Sequence, residues 1–312
     1  MATIVNRLRS LDESLSRLLA LDTWLLFFHA NKSLLLYCLA LAAIAYGYDL
    51  FSFSLKIDSE NHAAFPGAKI QWMQQGRWGM YFLNHYLLPD SIMPFIPVLL
   101  SLVGLSIGVL FYLLSLSEQR SISDYLAAPL GIGCPLLAFA FYFTTLGYGL
   151  GVAFAVVGIG LYALTRWHWH GAVLAIGCFA FGIGIYQAIL LLIVVLFGFY
   201  LVVSIITTAG LSFAVMLRRL GVFFTVLVLA YGLFEAIKAY TLMAYNIPYS
   251  QEYLQSYLNF GTDWTYVSAT LAATFNVALK YYTGGSEFYL YSLPALSLLF
   301  YFSLLLTVLL IL

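Results

Sequence analysis

Charge is what this chain has least of. Lys, Arg, Asp and Glu make up 8% of its 312 residues, against 63% hydrophobic and 18% aromatic. A soluble domain carries about 25% charged residues, so no water-soluble surface can be assembled from this inventory. A mean hydropathy of +0.96 puts lipid over much of the chain instead. The few charges cancel, thirteen basic against thirteen acidic, which argues against a nucleic-acid partner. Cysteine is scarce too: Cys38, Cys134 and Cys178 all lie inside apolar runs, where a thiol is more often a small packing residue than a bridge or ligand. The first thirty residues do not read as a signal peptide, because Asp12, Glu13 and Asp22 interrupt them and no small-residue cleavage site follows a continuous apolar core.

What is there is a series of apolar runs. A helix needs about 20 apolar residues to cross the hydrocarbon core, and such runs predict spans near 33–53, 92–116, 127–146, 149–165, 171–186, 188–206, 219–243 and 293–312. Glycines crowd several of them, as at Gly177, Gly182 and Gly184, which predicts close helix packing. Ahead of the first span, Val5, Leu8, Leu11, Leu15, Leu18 and Leu19 recur at helical spacing opposite Arg7, Arg9 and Asp12. That pattern predicts an interfacial helix. The expected organisation is therefore a cytoplasmic interfacial helix over 1–32 and a single membrane domain over 33–312.

Orientation follows from the basic residues. With the N-terminus inside, eight (Arg7, Arg9, Arg17, Lys32, Arg120, Arg166, Arg218, Arg219) fall on the cytoplasmic side and five (Lys56, Lys69, Arg77, Lys238, Lys280) outside. Both long polar loops, near 54–91 and 246–292, then share the outer face. Residues 264–279 hold no charge but are rich in Thr and Ser, which favours an amphipathic outer helix over a ninth span. The chain stops in apolar sequence at Leu312, as a piece of a longer chain or an end at the inner face would.

The first outer loop carries the densest chemistry. Asp49 lies near the outer end of the first span, and Asp58 and Glu60 follow at i, i+2. In an extended loop such a pair points to one side, where two carboxylates can divide labour between a protonated and an ionised form. The same acids also fit a solvated loop rim. Next comes Gln71-Trp-Met-Gln-Gln-Gly-Arg77-Trp78, running on to His85. Pro66 and Pro89 bracket it as helix start and stop signals, with Ile70, Met73, Met80, Tyr81, Leu83 and Leu87 expected to rest on the bilayer surface. Arg77 there can clasp a phosphate through two parallel hydrogen bonds, or snorkel to lipid headgroups.

An Asp-x-Glu shortly after the first span, then a tryptophan and Gln-Gly-Arg-Trp, resembles the Gtr type II glucosyltransferases of serotype-converting phages and bacteria. The match covers mainly residues 46–100, and Tyr186-Gln187 at an outer helix end is in keeping with it. The resemblance implies an all-α, polytopic transmembrane bundle of GT-C type, with about eight spans and amphipathic helices in two outer loops. It implies a polyprenyl-phosphate (undecaprenyl phosphate) sugar donor and a polysaccharide or lipid-linked acceptor such as the O-antigen of lipopolysaccharide. It places the protein in the bacterial inner membrane with its active site facing the periplasm or exterior. Inverting transfer needs a base for the acceptor proton and positive charge on the departing phosphate. Asp58 or Glu60 fits the first role, and the resemblance favours Asp58. Arg77 fits the second, with Lys238. Asp49, Trp72, Trp78, His85, Tyr186 and Gln187 are the expected substrate contacts. No metal ligands are assigned, no cofactor is implied with certainty, and a divalent cation is compatible with the chemistry.

Elsewhere the signals stay two-sided. Glu235 and Lys238 share a helix face inside an apolar span, as a paired structural couple or as a donor contact. Tyr186-Gln187 could bind a sugar or form a hairpin tip. His168 and His170 beside Trp167 and Trp169 have metal-ligand spacing, but fit an interfacial aromatic belt better. Glu252, Asp263 and Glu287, with Tyr253, Tyr257, Trp264 and Tyr266, could line an acceptor groove. The rival from another class is a transporter or lipid-carrier flippase of polysaccharide export, which would concentrate ionisable residues at mid-span.

Overall fold

The computed structural model describes residues 21–47, 68–87, 95–117, 122–133, 144–207 and 212–248, with 268, 269, 272, 273, 275, 276 and 302. All regular structure among them is helical: α1 Leu21–Ala30, α2 Lys32–Tyr46, α3 Ala68–Gln74, α4 Trp78–Phe82 with a π-helical turn Leu83–Leu87, α5 Ile96–Leu116, α6 Ile122–Ile132, α7 Thr144–Arg166, α8 His168–Ile185, α9 Ile189–Thr207 and α10 Phe213–Ala244.

Glycine decides the centre of the bundle. A Cβ placed on Gly104 of α5 would collide with the Gly151 backbone of α7, and one on Gly158 would collide with the Gly108 carbonyl oxygen. Only bare backbone fits this seam. In lipid, where apolar burial gives no drive to association, such contact supplies the dispersion energy that holds helices together. The seam does not run through the glycines where the sequence predicts close packing. Gly177 faces open space, Gly182 is only moderately crowded, and Gly184 alone of the three is tightly met.

Around this pair, α2 buries a stripe of Leu34, Cys38, Ala42 and Tyr46, four residues apart as one helix face requires. Tyr46 Oη donates to the Ile132 carbonyl at 2.5 Å and ties the ends of α2 and α6. At the other end of the bundle, Arg166 donates to the carbonyls of Leu114 and Ser117, while Trp24 and Phe27 of α1 pack with Phe111, Tyr162 and Trp167. The α9 and α10 faces turned away from the bundle are apolar and exposed, as at Leu191, Val195 and Val228, the surface that lipid covers.

Four helices, Ile96–Leu116, Tyr148–Arg166, Ile189–Thr207 and Phe213–Ala244, are long and apolar enough to cross a membrane, and the α1–α2 pair, bent by 71°, brings the number to five among the described residues. These meet the expected spans at 92–116, 149–165, 188–206 and 219–243. Of the expected span 127–146, the described residues hold the end of α6 at Ile132 and the start of α7 at Thr144, and 134–143 lie outside the described residues. Pro129 lies inside α6, and Gly133 follows its last residue. The run at 171–186 forms a helix, Trp169–Ile185, shorter than those four. The interfacial segment before Leu21 and nearly all of 293–312 lie outside the described residues. Trp169 and His170 stack on each other with ring centroids 3.8 Å apart.

Candidate active site

The Gln-Gly-Arg-Trp stretch builds the site through one turn. α3 ends in a Schellman cap: Gly76 N donates to Met73 O at 2.8 Å and Arg77 N to Trp72 O at 2.7 Å, with Gly76 at φ +75°. That left-handed position suits glycine. The motif brings the residue after the glycine back over the helix's last turn, and here that residue is Arg77. Its guanidinium carbon lies 5.3 Å from the Trp72 ring centroid and 4.8 Å from that of Tyr186. Arg77 is 8% exposed, and a cation this desolvated gains up to about 2 kcal/mol from each aromatic face.

Gln187 completes the cradle. Its Oε1 accepts from Arg77 Nε at 3.4 Å, and its Nε2 donates to the Gln75 carbonyl at 2.7 Å. The Lys238 stem runs along the other side of the turn, so a Cβ on Gly76 would meet Lys238 Cδ at 2.9 Å and Gln187 Nε2 at 3.4 Å. Lys238 forms an ion pair with Glu235 one turn back on α10, the pairing their spacing anticipates. Two cations, from the turn between α3 and α4 and from the far end of α10, thus flank one glycine beside the α8–α9 break. Gln75 Oε1 is buried there with no hydrogen-bond partner.

Of the six residues expected on the bilayer surface, Ile70 and Leu87 are exposed and Tyr81 and Leu83 half-buried. Met73 and Met80 are buried. Gly79 abuts the Gly184–Ile185 backbone, and Trp78 covers Gly184 so closely that a Cβ there would fall 2.6 Å from its ring. Trp78, expected as a substrate contact, is turned into the bundle against Gly184 and Phe181. It wedges the loop onto α8. His85 stacks on Tyr81, whose ring meets Tyr245 edge-on. Tyr245 is brought there by a second Schellman-type ending on α10, with Asn246 at φ 51° and Ile247 N donating to Leu242 O. Burial first, then the neighbouring Tyr245 and Tyr86 phenols, raise the Tyr81 hydroxyl above the usual tyrosine range, so it remains a donor at neutral pH. Asp49, Asp58 and Glu60, and the acceptor-groove candidates Glu252, Asp263 and Glu287, lie outside the described residues. No group of three metal-ligating side chains occurs among the described residues.

Sequence reasoning brings Arg77, Trp72, Tyr186, Gln187 and Lys238 forward, and the structure assembles them. It misses Gln75 and the role of Gly76, although a glycine just past a short helix is itself a capping signal. Gly76→Ala is expected to cost about 1–2 kcal/mol for the left-handed backbone alone and to push Lys238 aside. Thermal unfolding in detergent should show a lower midpoint. An unchanged midpoint would contradict the cap.

Several apolar helices, joined at one end around a buried arginine and a paired lysine, define a helical membrane protein with a cationic, aromatic-lined site. The family model of the glucosyl transferase GtrII matches residues 47–312. The chain belongs to the GtrII glucosyltransferase family, and it is a glycosyltransferase. No curated protein matches it, and no solved structure does.

Proposed function

We propose that the protein moves glucose from a polyprenyl-phosphate carrier to a surface polysaccharide such as O-antigen, on the outer side of the bacterial inner membrane, by an inverting GT-C type mechanism. The observation that carries this is the meeting of Arg77 and Lys238 at the Gly76 turn, at the end of the long α10 helix. In the reaction, the acceptor oxygen bonds to the sugar C1 as the C1–O bond to phosphate breaks. The departing phosphate monoester gains negative charge, and preformed cations lower the barrier by stabilising it there. Arg77, fixed between Trp72 and Tyr186, meets that charge without rearranging, and Lys238 adds a second cation from α10. Asp58 takes the acceptor proton, and Glu60 orients Asp58 or the acceptor. Gln75 Oε1 has the capacity to receive one sugar hydroxyl.

A transporter would need its ionisable groups at mid-span. Between Leu220 and Phe234, the middle of α10 holds none. The outer orientation is tested with a single cysteine at Ser59, which is expected to react with an impermeant thiol reagent in intact cells. Labelling only after permeabilisation would reverse the topology.

A further inference from the structure

At the opposite end of α10 lies a cavity of about 290 Å³, lined by Leu164 and Thr165 of α7, Phe197 and Tyr200 of α9, and Val215, Arg218, Arg219 and Val222 of α10. Arg219 and Lys238 are nineteen residues apart on one helix, which at 1.5 Å per residue is about 28 Å. That is close to the thickness of the hydrocarbon core, about 30 Å. The cavity therefore belongs to the other bilayer interface from the Arg77 site.

Its two cations are placed for an anion. Among the described residues, no carboxylate pairs with Arg218 or Arg219. The Arg219 guanidinium lies 5.9 Å over the Tyr200 ring, an arrangement that orients the group while leaving its N–H edge available. By contrast Arg166, at the end of α7, spends its N–H groups on the Leu114 and Ser117 carbonyls. The rest of the cavity wall is largely apolar: Leu164, Phe197, Val215 and Val222. A free inorganic anion has no use for such walls, whereas a lipid matches both parts, its phosphate at the arginines and its glycerol and chain root along the valines.

We propose that this cavity binds the phosphate headgroup of an anionic membrane lipid, clamped by Arg218 and Arg219 between α7, α9 and α10. The binding has a structural use. Tyr112 Oη donates to the Leu196 carbonyl and Phe197 stacks on Phe223, which hold α9 at the level of its middle turns. A headgroup between Tyr200 of α9 and the first turns of α10 would fasten the two helices at a second level.

The test is native mass spectrometry of the purified protein with dioleoyl phosphatidic acid, with dioleoyl phosphatidylcholine, and with inorganic phosphate as competitor. The wild type is expected to prefer phosphatidic acid. Arg218→Gln/Arg219→Gln should weaken that binding by about tenfold or more, the loss of two charge-assisted hydrogen-bonding groups, while phosphatidylcholine binding stays the same and reports an intact fold. Arg218→Lys/Arg219→Lys, which keeps charge but loses the forked donor geometry, should fall between. Equal phosphatidic acid binding by wild type and the Gln pair would overturn the site. So would displacement of the lipid by inorganic phosphate at matched concentration, which would make it a free-anion pocket.

Discussion

Asp58→Asn is expected to slow glucosyl transfer by about 10²–10⁴, the usual loss when a general base is removed. The substitution keeps volume and polarity, so insertion and packing should survive, and the fall should appear in turnover at saturating donor. Glu60→Gln should cost less, because an orienting carboxylate acts through its neighbour. The prediction rests on sequence position: both acids follow Asp49 within a dozen residues, the place the proposed mechanism gives to the base. A solvated rim charge, by comparison, contributes under about 1 kcal/mol to anything. Near-wild-type transfer by both variants would remove the loop acids from the chemistry and move the search to the surroundings of Lys238 and to residues 246–292.

Arg77→Gln is expected to lower turnover by about 10²–10³, the scale for losing one preorganised group that stabilises transition-state charge. Arg77 is buried between two rings and tied to Gln187, so part of any loss in the Gln variant is packing. Arg77→Lys separates the contributions, since it retains the charge but not the planar fork that Trp72 and Tyr186 sandwich. It should raise the donor KM and leave the acceptor KM unchanged. Wild-type donor KM and turnover in both variants would reduce Arg77 to a loop anchor.

Which features are legible in the chain depends on the kind of information each one uses. Spans such as Ile96–Leu116 and Ile189–Thr207 are legible because an apolar run of about 20 residues matches the thickness of a bilayer and little else. Within the apolar run 127–146, α6 ends at Ile132, a boundary that hydropathy alone does not register. The glycine seam escapes for a related reason. Composition shows that glycines are present, but only the packing of α5 on α7 decides that Gly104, Gly108, Gly151 and Gly158 meet another backbone. The Glu235–Lys238 pair is legible from i, i+3 spacing because it is local. The cradle around Arg77 joins residues more than a hundred positions apart, and only their expected place at span ends and the family resemblance point to it. The packing of Trp78 is not legible either, because an aromatic beside an arginine looks alike in the sequence whether it packs or binds. Its burial on Gly184 is a tertiary fact with no local signature.

The central claim is that the sugar comes from a lipid phosphate and that Arg77 meets that phosphate. The direct measurement is transfer of radiolabelled glucose from synthetic polyprenyl-phosphate-glucose to acceptor polysaccharide by the purified protein in liposomes. Wild type should transfer the label, and Arg77→Gln should transfer it at about a hundredth of that rate or less. Transfer from a nucleotide-linked glucose with none from the polyprenyl donor, or equal rates with and without Arg77, would contradict the account.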